Sequence, residues 1–420
     1  MAAPVLWQPS LPDRYRSVPI DAMTAAIAER RQRLGDRLVI LGHHYQVDEV
    51  IRHADITGDS LKLSQQAAEL AKGGKVEHVI FCGVHFMAET ADMLTPDSVG
   101  VILPDLSAGC SMADMADYDD TVDAWQQIHK ALERDGWTGR VIPITYVNST
   151  AAIKAFVGAH EGACCTSSNA DAVFEWALAG GVKPKAPGED IKILFLPDQH
   201  LGRNTAAKAG IDVETKSAVY DPKRAQRGDE LGGLPAERLA ETEVILWAGH
   251  CSVHKLFRPE HCHEIRKANA EARERGAAET TILVHPECCK EVVDLADLAG
   301  STEYIINQIR AAEPGTKWAV GTEVHLVQRL ADEAAERDVH VRILSDCQCL
   351  CTTMYRIDEP HLLWVLDQLC GIDPATGEER GDDKAKAINV IRVHPEVREP
   401  ALAALDRMLS LSKPASQPVD

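Results

Sequence analysis

The sequence contains no apolar run approaching the roughly 20 residues that a membrane-spanning helix needs. Its N-terminus lacks the charged, apolar and small-residue regions of a signal peptide. Basic residues are scarce, with 44 Lys and Arg against 64 Asp and Glu and a formal net charge of -20. Because nucleic acids and anionic membranes bind basic surfaces, neither is expected as a main partner. These absences predict a cytoplasmic protein that holds any anionic substrate with locally placed donors.

The twelve cysteines are expected to be reduced in such a protein, which argues against a disulfide framework. Metal binding and simple burial remain as their possible roles. We interpret six of them as packing residues: Cys82, Cys164, Cys262, Cys288, Cys289 and Cys370.

Three stretches run from an aliphatic strand into a turn that contains cysteine. Two of them, at 101–110 and 244–251, each end in a single cysteine. The third follows a strand at 339–344 and contains Cys347, Cys349 and Cys351. Because C-x-C spacing strains a tetrahedral chelate, we expect only one of these three to be a ligand. Cys347 and Cys349 are either alternative ligands or partners of Cys351 in a reversible disulfide, and the sequence does not choose between these roles.

The same order of strands and helices occurs three times along the chain. The intervals from His43 to Ser60 and from His285 to Thr302 are both 17 residues. Strand-end cysteines follow the two histidines after 67 and 66 residues. The matching intervals support a repeat independently of residue identity.

Alternating strands and helices predict parallel sheets with helices on both faces, and ligands that bind beyond the carboxyl ends of the strands. We therefore predict an α/β fold of three pseudo-symmetric three-layer αβα domains, whose short parallel sheets point their strand ends at a central site. The predicted segments are an N-terminal lead at 1–20, domains at 21–125, 126–265 and 266–400, and a C-terminal helix with a disordered tail at 401–420. The second domain contains an insertion at about 216–238.

Local patterns give three further expectations. Apolar residues at helical spacing predict a helix over 21–34. Four prolines and no periodicity suggest that residues 1–20 are loosely attached. In the second repeat, we expect a helix to begin between Thr166 and Ser168.

Cys110, Cys251 and Cys351 provide three thiolates, one fewer than the usual set for a cubane iron–sulfur cluster. A [4Fe–4S] cluster with three cysteine ligands leaves one iron open as a Lewis acid for carboxylate, hydroxyl or carbonyl oxygen. The alternative is a closed zinc site completed by His250 or His254. We favour the open cluster because the cysteines come from three repeated segments.

Polar side chains occupy strand ends where a core would have leucine: His43, Tyr45, Tyr146, Asn148, His285 and Glu287. Histidine, tyrosine and glutamate side chains can exchange protons with an enolisable substrate that lies within reach. Ser60, Ser167 and Thr302 stand at predicted helix starts, where hydroxyls beside free N–H groups suit phosphate or carboxylate. Ordinary N-capping is the alternative role for these three residues.

The chain resembles the quinolinate synthase family, the iron–sulfur enzymes of de novo NAD biosynthesis, in an extended-length branch. The resemblance covers about residues 37–370 and rests on LGHHYQ, GDSLKLS, GVHFMAETADML, CSMAD, YVNSTAAIKA, CTSSNA, WAGHCSVH, HPE, GSTEYI and VGTEVHL. It implies three pseudo-symmetric domains around a [4Fe–4S] cluster. The implied reaction condenses iminosuccinate with dihydroxyacetone phosphate to quinolinate, releasing phosphate and water.

By position, the resemblance implies Cys110, Cys251 and Cys351 as cluster ligands, with Cys349 as the alternative if the loop register shifts by two. The implied catalytic residues are Tyr45, Tyr146, His285 and Glu287. The implied substrate contacts are His43, Ser60, Tyr146, Val147, Asn148, Ser167, His285, Pro286, Glu287 and Thr302. The expected partners are the two small-molecule substrates and, transiently, the enzyme that supplies iminosuccinate.

Two rival functions fit parts of the same pattern. An aconitase-like iron–sulfur hydro-lyase also uses an open iron, but it converts one hydroxy acid without a phosphorylated partner. An iron–sulfur sensor would need a basic or DNA-reading surface. Neither the net charge nor any helix-turn-helix pattern in the sequence supports the sensor.

Overall fold

The computed structural model of the protein describes residues 8–346, 349–381 and 384–412. Its strands are short, from two to eight residues. They are β1 (Leu38–His43), β2 (Ile56–Gly58), β3 (His78–Cys82), β4 (Gly100–Ile102), β5 (Gly139–Tyr146), β6 (Ala163–Cys165), β7 (Asp190–Leu196), β8 (Ser217–Tyr220), β9 (Val244–Trp247), β10 (Thr280–Val284), β11 (Leu298–Ala299), β12 (Lys317–Gly321), β13 (His340–Ile343) and β14 (Val390–Ile391).

Helices connect almost all of these strands. They are α1 (Asp13–Arg16), α2 (Ile20–Leu34), α3 (Asp48–Ile51), α4 (Ser60–Ala71), α5 (His85–Leu94), α6 (Tyr118–Arg134), α7 (Ala151–Ala159), α8 (Ala170–Leu178), α9 (Gln199–Lys208), α10 (Val213–Lys216), α11 (Pro222–Ala225), α12 (Pro259–Glu274), α13 (Lys290–Leu295), α14 (Thr302–Arg310), α15 (Val324–Ala335), α16 (Glu359–Leu369) and α17 (Pro395–Leu411). Short 3-10 helices span Gly35–Arg37, Ala113–Met115, Ala236–Arg238, His254–Leu256 and Met354–Arg356. Among the described helices, none combines the length and apolar character needed to cross a bilayer.

The chain divides into two compact units, and each is built from separate stretches of sequence. The described part of the N-terminal unit comprises residues 8–110, 350–381 and 384–394. The described part of the central unit comprises residues 111–346, Cys349 and residues 395–412.

The N-terminal unit contains one five-stranded sheet with the order β14-β4-β3-β1-β2. Its first four strands pair in parallel, and β14 joins the edge in the antiparallel direction. Every residue of β1 is buried. This is typical of an inner strand in a sheet covered on both faces, and it explains the aliphatic run before His43.

The central unit contains two sheets, with the orders β6-β5-β7-β9-β8 and β11-β10-β12-β13. All their pairings are parallel. Apart from β8 and β14, each of the three sheets contains four strands. When these four are numbered along the chain, they lie side by side in the order second, first, third, fourth. The prediction of an α/β fold with several short parallel sheets is confirmed.

The stretch at 216–238 adds an edge strand to the second sheet. Within it, β8 pairs in parallel with β9. Tyr220 at the end of β8 stacks on Trp247 at the end of β9, with ring centroids 5.3 Å apart. Both side chains are buried, so this part of the insertion belongs to the core of the central unit.

Two local expectations were wrong. Residues 8–20 are not loosely attached, because Tyr15 is fully buried and its hydroxyl donates to Asp367 at 2.9 Å. Helix α8 begins at Ala170, later than expected, because residues 166–169 form a turn closed by the Asn169 side chain. The predicted helix at 21–34 is confirmed as α2.

Helix α17 packs along α7 in the central unit. Gly158 permits this close approach, since a Cβ there would lie 1.8 Å from the carbonyl oxygen of Pro400. Arg407 donates to the carbonyl oxygens of Gly158 at 3.4 Å and Gly162 at 2.5 Å. The buried face of α17 consists of Ala401, Ala404, Leu405 and Met408. The predicted C-terminal helix is therefore a core element, and residues 413–420, predicted as a tail, lie outside the described residues.

Candidate metal centre and active site

The three predicted ligand cysteines begin the same local structure. A 3-10 helix starts three residues after each of Cys110, Cys251 and Cys351. An α-helix starts eight residues after each cysteine, namely α6, α12 and α16. Cys349 is out of this register by two residues, so the local structure favours Cys351.

Cys349 and Cys351 also differ in burial. Cys349 is fully buried, and its Sγ lies 3.2 Å from the Ser345 hydroxyl. Its carbonyl oxygen accepts a hydrogen bond from the N–H of Val324 at 3.1 Å. Cys351 is partly exposed. Cys347, the third cysteine of this loop, lies outside the described residues.

Only four of the described cysteines are partly exposed: Cys110, Cys251, Cys289 and Cys351. Burial raises the pKa of the Cys82 and Cys164 thiols to about 12. Because the thiolate is the metal ligand, these two are poor candidates. The three predicted ligands are thus the accessible thiols that share the repeated turn, and this donor set fits a soft metal centre.

Within the N-terminal unit, hydrogen bonds connect the segments that carry Cys110 and Cys351. Arg356, in the 3-10 helix after Cys351, donates to the Ser107 hydroxyl at 3.1 Å. The Ser107 N–H and hydroxyl both donate to Asp105, at 2.9 and 2.7 Å. Two of the three predicted ligands therefore belong to adjoining segments of one unit.

In the central unit, Asp198 fixes the turn that carries Cys251. Its Oδ1 accepts from the N–H groups of His200 at 2.7 Å and Leu201 at 2.9 Å, which caps α9. Its Oδ2 accepts from the N–H of Cys251 at 3.2 Å. The side chain is fully buried, so one carboxylate ties the start of a helix to a candidate ligand.

The backbone of the same turn is also constrained. A Cβ at Gly249 would lie 2.2 Å from the carbonyl oxygen of Pro197, so glycine is required for the close approach. The carbonyl oxygen of Gly249 accepts from the N–H of Gln199 at 3.0 Å. Just before the turn, the Trp247 indole donates to the carbonyl oxygen of Met115 at 2.6 Å.

Cys251 lies in a group that could bind a metal ion. Its Sγ, a ring nitrogen of His254 and a carboxylate oxygen of Glu287 all lie within 4.8 Å of one another. However, both nitrogens of His254 are engaged, Nδ1 with Glu287 Oε2 at 2.8 Å and Nε2 with the Thr322 hydroxyl at 3.2 Å. A zinc ion bound through His254 would have to break one of these hydrogen bonds.

Glu287 is the centre of a buried acid–base group. It hydrogen bonds to Tyr146 and His254, and the His254 ring stacks on His285 with centroids 4.5 Å apart. All four side chains are at most 5% exposed. A continuous hydrogen-bonded chain therefore runs from Thr322 through His254 and Glu287 to Tyr146.

Burial and neighbouring groups shift the pKa values of Glu287, His285 and the nearby Asp198. Burial disfavours the ionised form of Glu287 and acts to raise its pKa. This effect is outweighed by the neighbouring His254 and His285 and by the hydrogen bonds from His254 and Tyr146. The net result is a pKa of Glu287 lowered to about 2. Burial and the neighbouring His254 lower the pKa of His285 to about 3. Burial, and then the charge of Glu287, raise the pKa of Asp198 well above its usual value, although three N–H donors oppose this rise.

The HPE segment is held in place by α9. The Asn204 side chain donates to the carbonyl oxygens of Pro286 at 2.8 Å and Cys288 at 2.9 Å. The N–H of Glu287 donates to His285 Nδ1 at 3.3 Å. These contacts fix the direction of the Glu287 carboxylate.

The predicted anion-binding hydroxyls occupy corresponding positions in the three sheets. At the end of each first strand, His43 pairs with Gly58, Tyr146 with Cys165 and Val284 with Ala299. Ser60 lies two residues after Gly58, and Ser167 lies two residues after Cys165. Ser60 and Thr302 are the first residues of α4 and α14, whereas Ser167 lies in the turn before α8.

The remaining predicted residues lie next to these positions. In the N-terminal unit, the rings of His43 and Tyr45 meet edge to face with centroids 4.8 Å apart, and the N–H of Tyr45 donates to His43 Nδ1 at 3.1 Å. In the central unit, the N–H of Val147 donates to the carbonyl oxygen of Cys165 at 2.8 Å. Asn148 follows and is partly exposed.

Asp198 and Thr322 were not among the site residues predicted from the sequence, and His254 was considered only as a zinc ligand. Asp198 follows the strand β7 and Thr322 follows β12, so each stands at the end of the third strand of its repeat. A search for polar residues at the ends of the third strands, like the one made at the ends of the first strands, would have found both. His254 begins the 3-10 helix three residues after Cys251, and its position becomes clear only from the repeated turn.

The fold and the site define a class of α/β enzyme. Its candidate site combines partly exposed cysteines in repeated turns with acid–base residues at the ends of strands. The chain belongs to the family described as Quinolinate synthetase A protein, whose model matches residues 25–410.

Three curated relatives with nearly the same length are each named quinolinate synthase. The Bacillus velezensis protein is 48% identical over 400 residues, covering 95% of this chain and 96% of the relative. The Acidobacterium capsulatum protein is 48% identical over 399 residues, with 95% of each chain covered. The Bacillus subtilis protein is 46% identical over 402 residues, with 96% of each chain covered.

Proposed function

We propose that this chain is a quinolinate synthase that condenses iminosuccinate with dihydroxyacetone phosphate to quinolinate, releasing phosphate and water. Family membership supports the reaction class. The observation that carries the site assignment is the buried hydrogen-bonded chain from Thr322 through His254 and Glu287 to Tyr146. The Cys251 thiol lies within 4.8 Å of ligand atoms of His254 and Glu287 in this chain. The cytoplasmic location and transient contact with the enzyme that supplies iminosuccinate remain predictions.

The proposed cofactor is a [4Fe–4S] cluster held by Cys110, Cys251 and Cys351. When bound, such a cluster supplies an open iron that acts as a Lewis acid toward substrate oxygen. The shared 3-10 turn and the partial exposure of these cysteines support the ligand set. The proposed architecture places three pseudo-symmetric domains, at 21–125, 126–265 and 266–400, around this cofactor, and the common strand order of the three sheets supports the repeat.

The proposed acid–base chemistry centres on Glu287. Its low pKa keeps the carboxylate ionised, so that Oε2 accepts from His254 Nδ1 and the carboxylate also accepts from Tyr146. We assign Tyr146 and Glu287 to proton transfer during the two dehydrations, with His285 neutral beside them because its pKa is lowered to about 3. Tyr45, beside His43, is the corresponding proton donor from the N-terminal unit.

Most of the proposed binding residues offer hydroxyl, N–H or imidazole groups at strand and helix ends. Ser60, Ser167 and Thr302 are assigned to the anionic groups of the substrates, which a chain of net charge -20 must hold with local donors. The remaining assigned contacts are His43, Tyr146, Val147, Asn148, His285, Pro286 and Glu287.

The proposal is tested with anaerobically purified protein, by iron and sulfide analysis and by chromatographic detection of quinolinate. We expect about four iron and four sulfide atoms per chain and quinolinate formation only when both substrates are present. Cys251→Ala should lose the cluster and the activity. Cys289→Ala, a partly exposed cysteine outside the proposed ligand set, is the matched control and should retain both.

Three results would contradict the proposal. Zinc without iron would indicate the closed site. Conversion of a hydroxy acid without dihydroxyacetone phosphate would indicate a hydro-lyase. A Cys251→Ala protein with a full cluster and full quinolinate formation would refute the ligand assignment.

A further inference from the structure

The turn that carries Ser167 is closed by a single side chain. Asn169 Oδ1 accepts from the N–H of Thr166 at 2.7 Å and from the Thr166 hydroxyl at 3.0 Å. The N–H of Asn169 donates back to the carbonyl oxygen of Thr166 at 3.2 Å, and the N–H of Ser168 donates to the Thr166 hydroxyl at 3.2 Å. Ser167 is therefore fixed at the tip of a four-residue turn.

The other end of the same amide contacts the C-terminal helix. Asn169 Nδ2 donates to the carbonyl oxygen of Met408 at 3.2 Å and to the Ser412 hydroxyl at 3.0 Å. The amide thus uses both donor positions and both acceptor positions. Its orientation follows from these partners, because the reversed amide would place Nδ2 against the Thr166 N–H.

Helix α17 offers a fixed support for this contact. The packing of Gly158 against Pro400 and the two hydrogen bonds from Arg407 hold the helix against α7 and the loop that follows it. Asn169 is only 7% exposed, so water does not compete freely for its hydrogen bonds. A shift of the last turn of α17 would therefore be transmitted to the Ser167 turn.

We propose that Asn169 is a positioning residue that couples the last turn of α17 to the Ser167 turn and thereby sets the affinity for an anionic group of the substrate. The inference rests on the proposed function, which assigns Ser167 to substrate binding. Within the described residues, neither the Ser167 hydroxyl nor its N–H hydrogen bonds to another protein group. Both remain available to a carboxylate or a phosphate.

The test is steady-state kinetics of the anaerobic holoenzyme, with each of the two substrates varied in turn. Ser167→Ala first identifies which substrate depends on the turn, by a rise in its KM. Asn169→Ala should raise the KM for that same substrate about tenfold, corresponding to ~1.4 kcal/mol. The kcat and the iron content should stay within about twofold of the unchanged protein, because the variant alters binding geometry and no reacting group.

A second pair of variants isolates the contribution of α17. Ser412→Ala removes the hydrogen bond from Asn169 to the Ser412 hydroxyl and the bond from that hydroxyl to the Met408 carbonyl oxygen at 3.0 Å, and it leaves the Thr166 side intact. We expect a KM rise of about threefold, corresponding to ~0.65 kcal/mol. Ser410→Ala is the matched control, because the Ser410 hydroxyl is exposed and donates only within the helix, to the carbonyl oxygen of Arg407 at 2.8 Å. It should leave KM unchanged. Amide hydrogen exchange over 166–170 should accelerate in Asn169→Ala and in Ser412→Ala but not in the control.

The outcomes separate this inference from the proposed function. If Ser167→Ala leaves both KM values unchanged, the assignment of Ser167 fails, and with it this inference. If Ser167→Ala raises one KM while Asn169→Ala and Ser412→Ala do not, only the positioning role is overturned. A KM rise in Asn169→Ala with unchanged hydrogen exchange over 166–170 would also overturn it.

Discussion

Cys349 and Cys351 are two residues apart but have different surroundings. Cys349 is buried beside Ser345, and its carbonyl oxygen caps the start of α15, whereas Cys351 is partly exposed and begins the same turn as Cys110 and Cys251. A buried thiol with a hydroxyl neighbour acts as a small packing group. We therefore assign the third ligand to Cys351.

This assignment predicts opposite results for two serine variants. Cys351→Ser should lose most of its iron after anaerobic reconstitution, because it removes a proposed ligand. Cys349→Ser should keep the iron and lose about 1 kcal/mol of stability from burial of a more polar group. Iron analysis and thermal melting distinguish the two variants. Retention of a full cluster by Cys351→Ser together with its loss in Cys349→Ser would reverse the assignment.

Asp198 offers a more selective test of how the Cys251 turn is held. In Asp198→Asn, the oxygen that caps α9 can remain, while the new amide nitrogen faces the N–H of Cys251. Two donors would then oppose each other, at a cost of about 1–3 kcal/mol localised at the turn. We expect iron to be lost to a chelator at least tenfold faster, measured by the decay of the cluster absorbance.

Asp212→Asn is the control for this variant, because Asp212 caps α10 by the same type of bond at an exposed position. It should leave the rate of iron loss unchanged. Equal rates of iron loss in Asp198→Asn and the original protein would show that Asp198 does not position Cys251.

At the residue scale, motif positions could be predicted, but side-chain partners could not. The polar groups after β1, β5 and β10 were found because each interrupts an aliphatic strand. Asp198 and Thr322 stand after other strands and were not considered. The bonds that make His254 part of the site connect residues 33 and 68 positions apart, and local sequence patterns do not report such separations.

At the scale of elements, long periodic segments were easier to predict than short ones. The 15-residue α2 has a clear apolar face and matches its predicted bounds closely. The strands β2, β6 and β11 have only two or three residues and are too short for an alternating pattern. They nevertheless complete the common strand order. β8 was hidden in a polar stretch because it is an edge strand with three partly exposed residues.

The short α1 is held by contacts that its sequence does not reveal. Tyr15 donates to Asp367 on α16 at 2.9 Å, and Arg30 on α2 donates to the same carboxylate at 3.0 Å. The Asp367 side chain is fully buried, so its charge depends on these partners. Three helices of the N-terminal unit therefore meet at one carboxylate.

Tyr15→Phe should destabilise this junction without disrupting the core shape. A hydrogen bond to a charged group contributes about 1.5–3 kcal/mol, so we expect the melting temperature to fall by several degrees. Tyr118→Phe is the control, because Tyr118 is 40% exposed. Equal melting temperatures for Tyr15→Phe and the original protein in calorimetry would show that the hydroxyl contributes no net stability.

At the scale of the whole molecule, each compact unit is assembled from discontinuous stretches. The chain passes from one unit to the other after Cys110, after Cys349 and after His394. The sequence gives no local sign of these crossings, because none coincides with a proline- or glycine-rich linker. The repeated order of strands and helices could be predicted from the intervals between residues in the sequence. The role of α17 in the central unit could not be predicted in this way.

Removal of the chain after His394 tests that role. The truncation uncovers α7 and deletes the buried Leu405 and Met408. At about 1.5–3 kcal/mol for each large apolar side chain, the loss is a large part of the 5–15 kcal/mol that stabilises a typical protein. We expect aggregation on expression, or a melting temperature at least 10 °C lower, measured by light scattering and calorimetry. A chain ending at Ser412 retains α17 and should melt like the full-length protein. If the chain ending at His394 were as soluble and as stable as the full-length protein, α17 would not be part of the structural core.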